Sequence, residues 1–246
     1  MVGYLTIMLK ILVLNTISTD RYNEKRKGIL EKYARSDVEI TVASLQDVPE
    51  QVGVYSTREM VAVPKIVEKV NDAEINGFSG VLINCFGDPG LNESRESVKI
   101  PVVGSGEASM HVAAMIGSKF SILAPERKSI PAIERNVMLY GLTSKLASIL
   151  PLNIPVPDIT SGLLGENLDL IVKKINFAIE NNGAEVIIIA CTGSIGLAKT
   201  LQESVRIPVV DPCIVPYKLT EMFADLFSQT KLSHSKIGKY LPPANC

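Results

Sequence analysis

The stretch that decides the fold is NGFSGVLINCFGDPGLNESRESVKIPVV, residues 76–103, because most of it occurs again as NGAEVIIIACTGSIGLAKTLQESVRIPVV, residues 182–210. Each copy has an apolar run that ends at a cysteine, Cys85 or Cys191, followed two positions later by a glycine. An amphipathic segment and the tetrapeptide I-P-V-V complete each copy. The pattern predicts, twice over, a strand, a turn that carries the cysteine, a helix and a second strand.

The distance between the two copies indicates the domain organisation. Repeats about 100 residues apart are typical of two similar domains, whereas a solenoid repeats every 20 to 50 residues or so. Strands alternate with helices along the whole chain, which predicts an α/β fold with parallel sheets of four strands in each half. Ligands of such sheets bind beyond the carboxyl ends of the strands, so Cys85 and Cys191 both fall where a ligand is expected.

Hydrophobic spacing and turn residues predict the remaining elements. The segment with Pro151, Pro155 and Pro157 is predicted to be a loop, and residues 228–246 a polar tail. Strands are predicted at 10–14, 38–43, 120–124 and 146–150, and helices at 20–35, from 56 toward 76 with a kink at Pro64, 107–116, 130–140, 167–182 and 216–227.

Composition limits the classes of function. The chain has 246 residues with 46% apolar content, enough to form the cores of two modest domains. Its 25 Lys plus Arg and 26 Asp plus Glu leave a net charge of −1, which argues against nucleic-acid or membrane-surface partners. No apolar run approaches the ~18 residues of a membrane span. The apolar N terminus lacks a positively charged leader, so we expect a cytoplasmic protein whose translation starts at Met1 or Met8.

The cysteines are the residues most suited to chemistry. Four cysteines without a C-x-x-C motif predict free thiols rather than a disulfide framework or a zinc site. A single cysteine at the end of a core strand usually packs as a small apolar side chain. Two cysteines at equivalent places in a duplicated unit favour a functional role, because the following Gly87 and Gly193 let the backbone approach a ligand. Cys213 and Cys246 have no such match and are assigned no role.

A thiolate that faces a thiol across a cleft forms a two-base pair. One sulfur removes a proton from a carbon, and the other delivers a proton to the opposite face. Backbone amides of the two turns would stabilise the enolate between them. Amides and nearby helix starts are also expected to lower the pKa of each thiol. This chemistry is racemisation without a metal or another cofactor.

Several blocks of the sequence resemble the aspartate/glutamate/hydantoin racemase superfamily, most closely its hydantoin and allantoin racemase branch. The resemblance implies two flavodoxin-like domains related by a pseudo-twofold axis, with the active site in the cleft between them. Residues 1–104 with 212–246 would form the first domain, to which the C-terminal helix returns, and residues 105–211 the second. The blocks are the strand ending at Asn15, VPEQVGVYSTREMVAVPKIVE (48–68), CFGDPGL (85–91), PVVGSGEA (101–108), IIIACTG (187–193) and PVVDP (208–212).

The same resemblance implies the residues of the site. Cys85 and Cys191 correspond to the two acid/base residues of the family. It further implies a small-molecule substrate, no cofactor, and assembly as a homo-oligomer. The residues that correspond to the family's substrate pocket are Asn15, Phe86, Gly87, Thr192 and Gly193.

Departures from the family pattern bear on the substrate. Asn15 is followed by Thr16 and Ile17 where the branch commonly has N-P-N. Cys191-Thr192 matches the amino-acid racemases, but the His or Glu that follows in those enzymes is Gly193 here. We therefore predict a 5-substituted hydantoin or allantoin as the leading substrate. The alternatives are an aspartate/glutamate-type racemase, a thiol-dependent decarboxylase and a binding protein without enzymatic activity.

Other polar residues have simpler structural explanations. Asp88 and Asp211 each precede a proline, and turn formation accounts for both. For Glu107, capping of its helix is favoured over contact with a ligand, and His111 is expected to be a packed or surface residue rather than a catalytic base. The glycines of G-S-G-E-A lack the spacing of a dinucleotide-binding fingerprint.

Overall fold

The computed structural model describes residues 8–49, 52, 54–162, 165 and 167–244. Met1, Cys246 and residues 50, 51 and 53 of the block 48–68, which entered the sequence predictions, lie outside these residues. The strands are β1 (Leu9–Asn15), β2 (Val38–Ser44), β3 (Gly80–Asn84), β4 (Val102–Gly104), β5 (Phe120–Ala124), β6 (Leu146–Pro151), β7 (Val186–Ile189) and β8 (Val209–Val210). The α-helices are α1 (Asn23–Leu30), α2 (Ser56–Ile75), α3 (Leu91–Ser97), α4 (Ser105–Ile116), α5 (Ile130–Leu139), α6 (Val156–Ser161), α7 (Leu168–Asn182), α8 (Leu197–Gln202) and α9 (Ile214–Thr230).

The strands form two four-stranded parallel sheets with the same topology. Their orders are β2-β1-β3-β4 and β6-β5-β7-β8. This confirms the predicted α/β class and the predicted four strands in each half. The central strands β3 and β5 are buried at every position, as expected for strands covered on both faces by helices.

The carboxyl ends of β1 and β3 are aligned. Asn15, the last residue of β1, pairs in register with Asn84, the last residue of β3. The side chains that follow these two strands are thereby placed at the same edge of the sheet, where parallel α/β sheets bind ligands.

Helix α2 shows how the predicted helices pack. Its buried residues Ala62, Ile66 and Val70 recur every fourth position, which aligns them along one face of a helix. That face packs in the core cluster with Val81 and Ile83 of β3. The helix continues through Pro64.

Helix α9 crosses back to the first sheet. It follows β8 in the chain but packs against β1, β3 and β4. Gly80 allows the close approach, because a Cβ there would already lie 3.4 Å from Ala224 Cβ and from Thr220 Cγ2. The packing agrees with a C-terminal helix that returns to the first domain, while the domain boundaries at 104/105 and 211/212 stay a prediction.

The proline-rich segment departs from the sequence prediction. Residues 156–161, expected to be part of a loop, form helix α6. Pro155 precedes the helix and Pro157 lies in its first turn, where a backbone N–H has no partner within the helix in any case. Prolines there permit a helix, so the loop prediction is wrong for these residues.

The ends of several predicted helices also shift. Helix α1 is shorter than the predicted 20–35, and α9 is longer than the predicted 216–227. Among the residues that the structure describes, no helix is long and apolar enough to cross a membrane.

Candidate functional site

A cavity lies at the carboxyl ends of both sheets and is lined by residues of the two halves. Its internal volume is about 80 Å³, and its mouth is open to solvent. Of the seven predicted site residues, Asn15 is not part of the lining. The other six are Cys85, Phe86, Gly87, Cys191, Thr192 and Gly193.

The turn after β7 is positioned by α6. Gly193 lies so close to this helix that a Cβ there would come within 2.8 Å of Thr160 Oγ1 and 3.0 Å of Thr160 Cα. A side chain at position 193 would therefore push the helix away. Helix α6, absent from the sequence prediction, brings Val156 and Thr160 to the cavity wall.

Cys85 follows β3 and has a protonated thiol at neutral pH. Burial raises its pKa to about 11, although hydrogen bonds from the Thr16 hydroxyl and the Gly87 N–H favour the thiolate. Negative charge on Asp88 and on Cys191 raises the pKa further. Because charge on one cysteine disfavours charge on the other, thiol and thiolate are the favoured combination when one of the pair ionises.

Cys191 occupies the equivalent position after β7. Burial raises its pKa, opposed by the backbone N–H groups of Gly193 and Ser194 and by the positive charge of Arg26. The expected lowering of the thiol pKa is therefore wrong for both cysteines, because desolvation outweighs the amides. The helices α3 and α8 start well beyond the cysteines, and a helix dipole acts only near its first turn.

Asn15 lies behind the cavity and is fully buried. Its Nδ2 donates to Asn23 Oδ1 at 2.7 Å, while its Oδ1 accepts from Arg26 Nη1 at 2.5 Å and from Asn84 Nδ2 at 2.7 Å. Both ends of the amide are thus occupied by protein groups. Asn15 holds Arg26 and Asn84, and these two residues line the cavity.

Arg26 and Asn84 are two polar residues of the site that sequence reasoning missed. Asn84 gave a signal, since an amide directly before Cys85 ends an otherwise apolar run. Arg26 gave none, because it lies in a strongly polar helix with other charged residues. Only the packing of α1 against the end of β1 shows that this arginine faces inward.

Asp88 anchors the turn that carries Cys85. Its carboxylate accepts from the N–H groups of Gly106 and Glu107 at the start of α4 and from the Tyr140 hydroxyl. Burial raises the Asp88 pKa to about 7, although all three donors favour the ionised form. Gly104 is required beside it, since a Cβ there would lie 2.6 Å from Asp88 Cγ.

The second half also has a buried aspartate that links a turn to the start of a helix, but this aspartate follows the last strand of the sheet instead of the cysteine. Asp211, which follows β8, accepts from the N–H groups of Cys213 and Ile214 at the start of α9 and from Gly196 in the turn region after β7. Asp88 and Asp211 are thus turn and helix-start residues, in line with the structural explanation from the sequence.

The side chains that could bind a metal ion are dispersed over the described residues. Within the described part of the chain, no three His, Cys, Asp or Glu side chains are placed to hold one. The expectation that catalysis needs no metal or other cofactor remains a prediction.

Comparison with known proteins identifies the family. The family model described as Asp/Glu/Hydantoin racemase matches residues 11–219. The hydantoin racemase of Pseudomonas sp. (strain NS671) is 28% identical over 235 residues, which cover 96% of this chain and 92% of that protein. The hydantoin racemase of Rhizobium meliloti is 29% identical over 216 residues, covering 88% and 86%.

The fold of a solved structure agrees. The allantoin racemase from Klebsiella pneumoniae has a TM-score of 0.87 and 24% identity, covering 97% of this chain and 95% of that chain, so the two share a fold. The resemblance found in the sequence blocks is confirmed. The chain belongs to the Asp/Glu/hydantoin racemase family, a family of isomerases.

Proposed function

We propose that the protein is a cofactor-independent racemase that inverts a carbon next to a carbonyl, with Cys85 and Cys191 as its two acid/base residues. A 5-substituted hydantoin or allantoin is the proposed substrate class. The observation that carries the proposal is that two cysteines, each at the end of the equivalent strand in its half, line one cavity. The relatives named hydantoin racemase support the choice of substrate.

The proposed reaction is balanced without any co-reactant. The thiolate of one cysteine takes the proton from the carbon, and the electron pair moves onto the adjacent carbonyl as an enolate. The thiol of the other cysteine then donates its proton to the opposite face of the carbon. Each turnover exchanges the roles of thiol and thiolate, so the enzyme is left ready for the opposite enantiomer.

The raised pKa values of the two thiols make each thiolate a stronger base, but they also reduce the fraction of thiolate at neutral pH. A carbon next to a carbonyl is a weak acid, and a sulfur with a high pKa is a correspondingly strong base. At neutral pH, however, few molecules contain a thiolate. The N–H groups of Gly87 and Gly193 contribute by bonding to the sulfurs and favouring their ionised forms.

Proton exchange from solvent tests the proposed function. The protein would be incubated in D₂O with single enantiomers of 5-substituted hydantoins, allantoin, aspartate and glutamate, and separately with an arylmalonate, which is achiral. We expect loss of the α-hydrogen signal and decay of optical rotation for a hydantoin or for allantoin. Exchange with only the amino acids, or release of CO₂ from the arylmalonate, would contradict the proposed function and support an alternative activity.

Assembly and location belong to the proposal as well. We expect a homo-oligomer in the cytoplasm, with a small molecule as its partner in catalysis. Light scattering of the purified protein would show a mass that is a multiple of the 26.7 kDa chain. A mass equal to that of one chain would contradict the expected oligomer.

A further inference from the structure

The guanidinium of Arg26 is a buried positive charge at the wall of the cavity. We propose that Arg26 binds a carboxylate carried by the substrate, so that the enzyme prefers a substrate with an acidic side chain to its neutral counterpart. This inference rests on the proposed racemase site and adds the class of substituent that the site accepts.

The pairing of Arg26 differs from that of a comparable arginine in the same protein. Arg95 is 7% exposed, and Glu107 accepts hydrogen bonds from both of its terminal nitrogens. Arg26 is 5% exposed, yet its hydrogen-bond partner is the neutral amide of Asn15. Within the described residues, no carboxylate forms an ion pair with Arg26.

A buried arginine that has no paired carboxylate still requires an anion. A guanidinium has five N–H donors, and a buried charge is costly unless it is paired with opposite charge and hydrogen-bonded. The thiols that feel the charge of Arg26 are Cys191 and Cys213, and burial keeps the pKa of both above its ordinary value. In the resting protein these sulfurs are therefore neutral, so the molecule that occupies the cavity is the source of the negative charge.

Hydrogen bonds of the neighbouring amides fix the position of Arg26 at the wall of the cavity. Because an arginine only donates, Asn15 must turn its oxygen toward Arg26, and Asn84 must then donate its nitrogen to the same oxygen. This orientation leaves Asn84 Oδ1 buried without a hydrogen-bond partner. A ligand with both a carboxylate and an amide N–H has the two groups that Arg26 and Asn84 lack.

The proposal changes the argument about charged substrates. The sequence indicated a neutral substrate, because no His or Glu follows Cys191-Thr192. The structure supplies a cation from α1 in the other half of the chain. Two kinds of molecule carry the required carboxylate, a hydantoin with a carboxyalkyl side chain and a free acidic amino acid, and both belong in the test.

The test compares matched pairs of substrates. Hydantoins with carboxymethyl and carboxyethyl side chains would be compared with their carboxamide counterparts, and aspartate and glutamate with asparagine and glutamine. For the parent protein we expect a higher kcat/KM with the carboxylate of each active pair. Arg26→Gln should lower kcat/KM for the carboxylate about 30-fold or more beyond its effect on the carboxamide, mainly through KM. The carboxamide should lose only the activity that follows from weaker stabilisation of the Cys191 thiolate.

Two further variants control for charge and for folding. Lys25→Gln removes the same charge from an exposed position next to Arg26 in the chain and should leave both substrates unaffected. Arg26→Lys keeps the charge with a single ammonium group and should retain part of the preference. If Arg26→Gln is found unfolded by circular dichroism, the ratio of the two substrates for Arg26→Lys decides the question.

The outcomes that would contradict the proposed role of Arg26 differ from those that would contradict the proposed racemase function. Equal losses with carboxylate and carboxamide would show that Arg26 acts on the cysteines and not on substrate choice, and unchanged kinetics would show that it does neither. If the parent protein turns over no compound, calorimetric binding of the same pairs to parent and Arg26→Gln replaces kinetics. Absence of a preference for the carboxylate in that measurement would overturn the inference about Arg26.

Discussion

The hydroxyl of Thr192 donates a hydrogen bond of 3.1 Å to the backbone carbonyl oxygen of Asn84. Asn84 directly precedes Cys85 and Thr192 directly follows Cys191, so this buried bond joins the two halves beside both thiols. It thereby contributes to the separation between them, on which a two-base reaction depends.

Removal of this bond should weaken catalysis. Thr192→Val keeps the shape of the side chain but leaves the Asn84 carbonyl without its donor, at a cost of about 1–3 kcal/mol. We expect a lower unfolding temperature and a racemisation rate reduced about tenfold or more. Thr192→Ser, which keeps the hydroxyl, is the matched control. A Val variant as active and as stable as the Ser variant would show that the bond has no such role.

The two cysteines should be separable by substitution. Cys85→Ser and Cys191→Ser should each reduce racemisation by about 10²–10⁴-fold, the usual cost of losing a positioned acid or base. In D₂O each variant is expected to exchange the α-hydrogen of one enantiomer through its remaining sulfur. The two variants should prefer opposite enantiomers. Proton NMR of each enantiomer measures this directly.

Cys213 provides the control for that experiment. It is buried and does not line the cavity, so Cys213→Ser should retain racemisation once folding has been verified. Near-native racemisation by Cys85→Ser or Cys191→Ser, or exchange of the same enantiomer by both, would contradict the two-base mechanism. A reaction that uses one thiol, such as decarboxylation, would then be the better explanation.

The raised pKa of Cys85 predicts the pH dependence of its modification. With a pKa of about 11, the thiolate fraction at pH 8 is small and increases about tenfold for each pH unit up to about pH 10. The rate of iodoacetamide alkylation of Cys85 in the Cys191→Ser variant should increase in the same way, followed by mass spectrometry. A rate that levels off near pH 8 would show an ordinary thiol.

His234 predicts a pH dependence of stability in the C-terminal tail. Its Nε2 accepts a hydrogen bond of 2.8 Å from the Val102 N–H, and burial together with the charges of Arg95 and Lys236 lowers its pKa from 6.5 to about 4. Above pH 6.5 the imidazole is neutral in both the folded and unfolded states. As the pH falls from 6.5 toward 4, only the unfolded chain takes up the proton, so the folded state loses stability.

Urea unfolding of the parent protein and of His234→Gln at pH 7 and pH 5 isolates the contribution of His234, a loss that we expect to be on the order of 1 kcal/mol. The raised pKa of Asp88 acts in the opposite direction over this range but is common to both proteins. His234→Gln retains an acceptor for Val102, so its change in stability between the two pH values should differ from that of the parent by the His234 contribution. His111→Gln, at an exposed position, should behave like the parent protein. An unchanged difference in His234→Gln would mean that other groups cause the loss.

Much of the fold could be predicted from the sequence because the relevant patterns are local. The apolar runs before Cys85 and Cys191 and the glycines that follow them describe a strand and a tight turn within a few residues. Their repetition shows that each half has the same architecture, and the short blocks around the two cysteines were sufficient to recognise the family. Helix α6 was not predicted, because prolines such as Pro155 and Pro157 are typical both of loops and of the first turn of a helix.

The candidate site depended on contacts between residues that are distant in the chain. That Asn15 supports the cavity from behind, while Arg26 reaches it, follows from the packing of α1 against the end of β1. The thiols were expected to ionise readily because the sequence shows the nearby amides, but it does not show how far the two halves of the chain desolvate Cys85 and Cys191. Backbone geometry is set by neighbouring residues, whereas desolvation and charge pairing are set by segments that only the folded chain brings together.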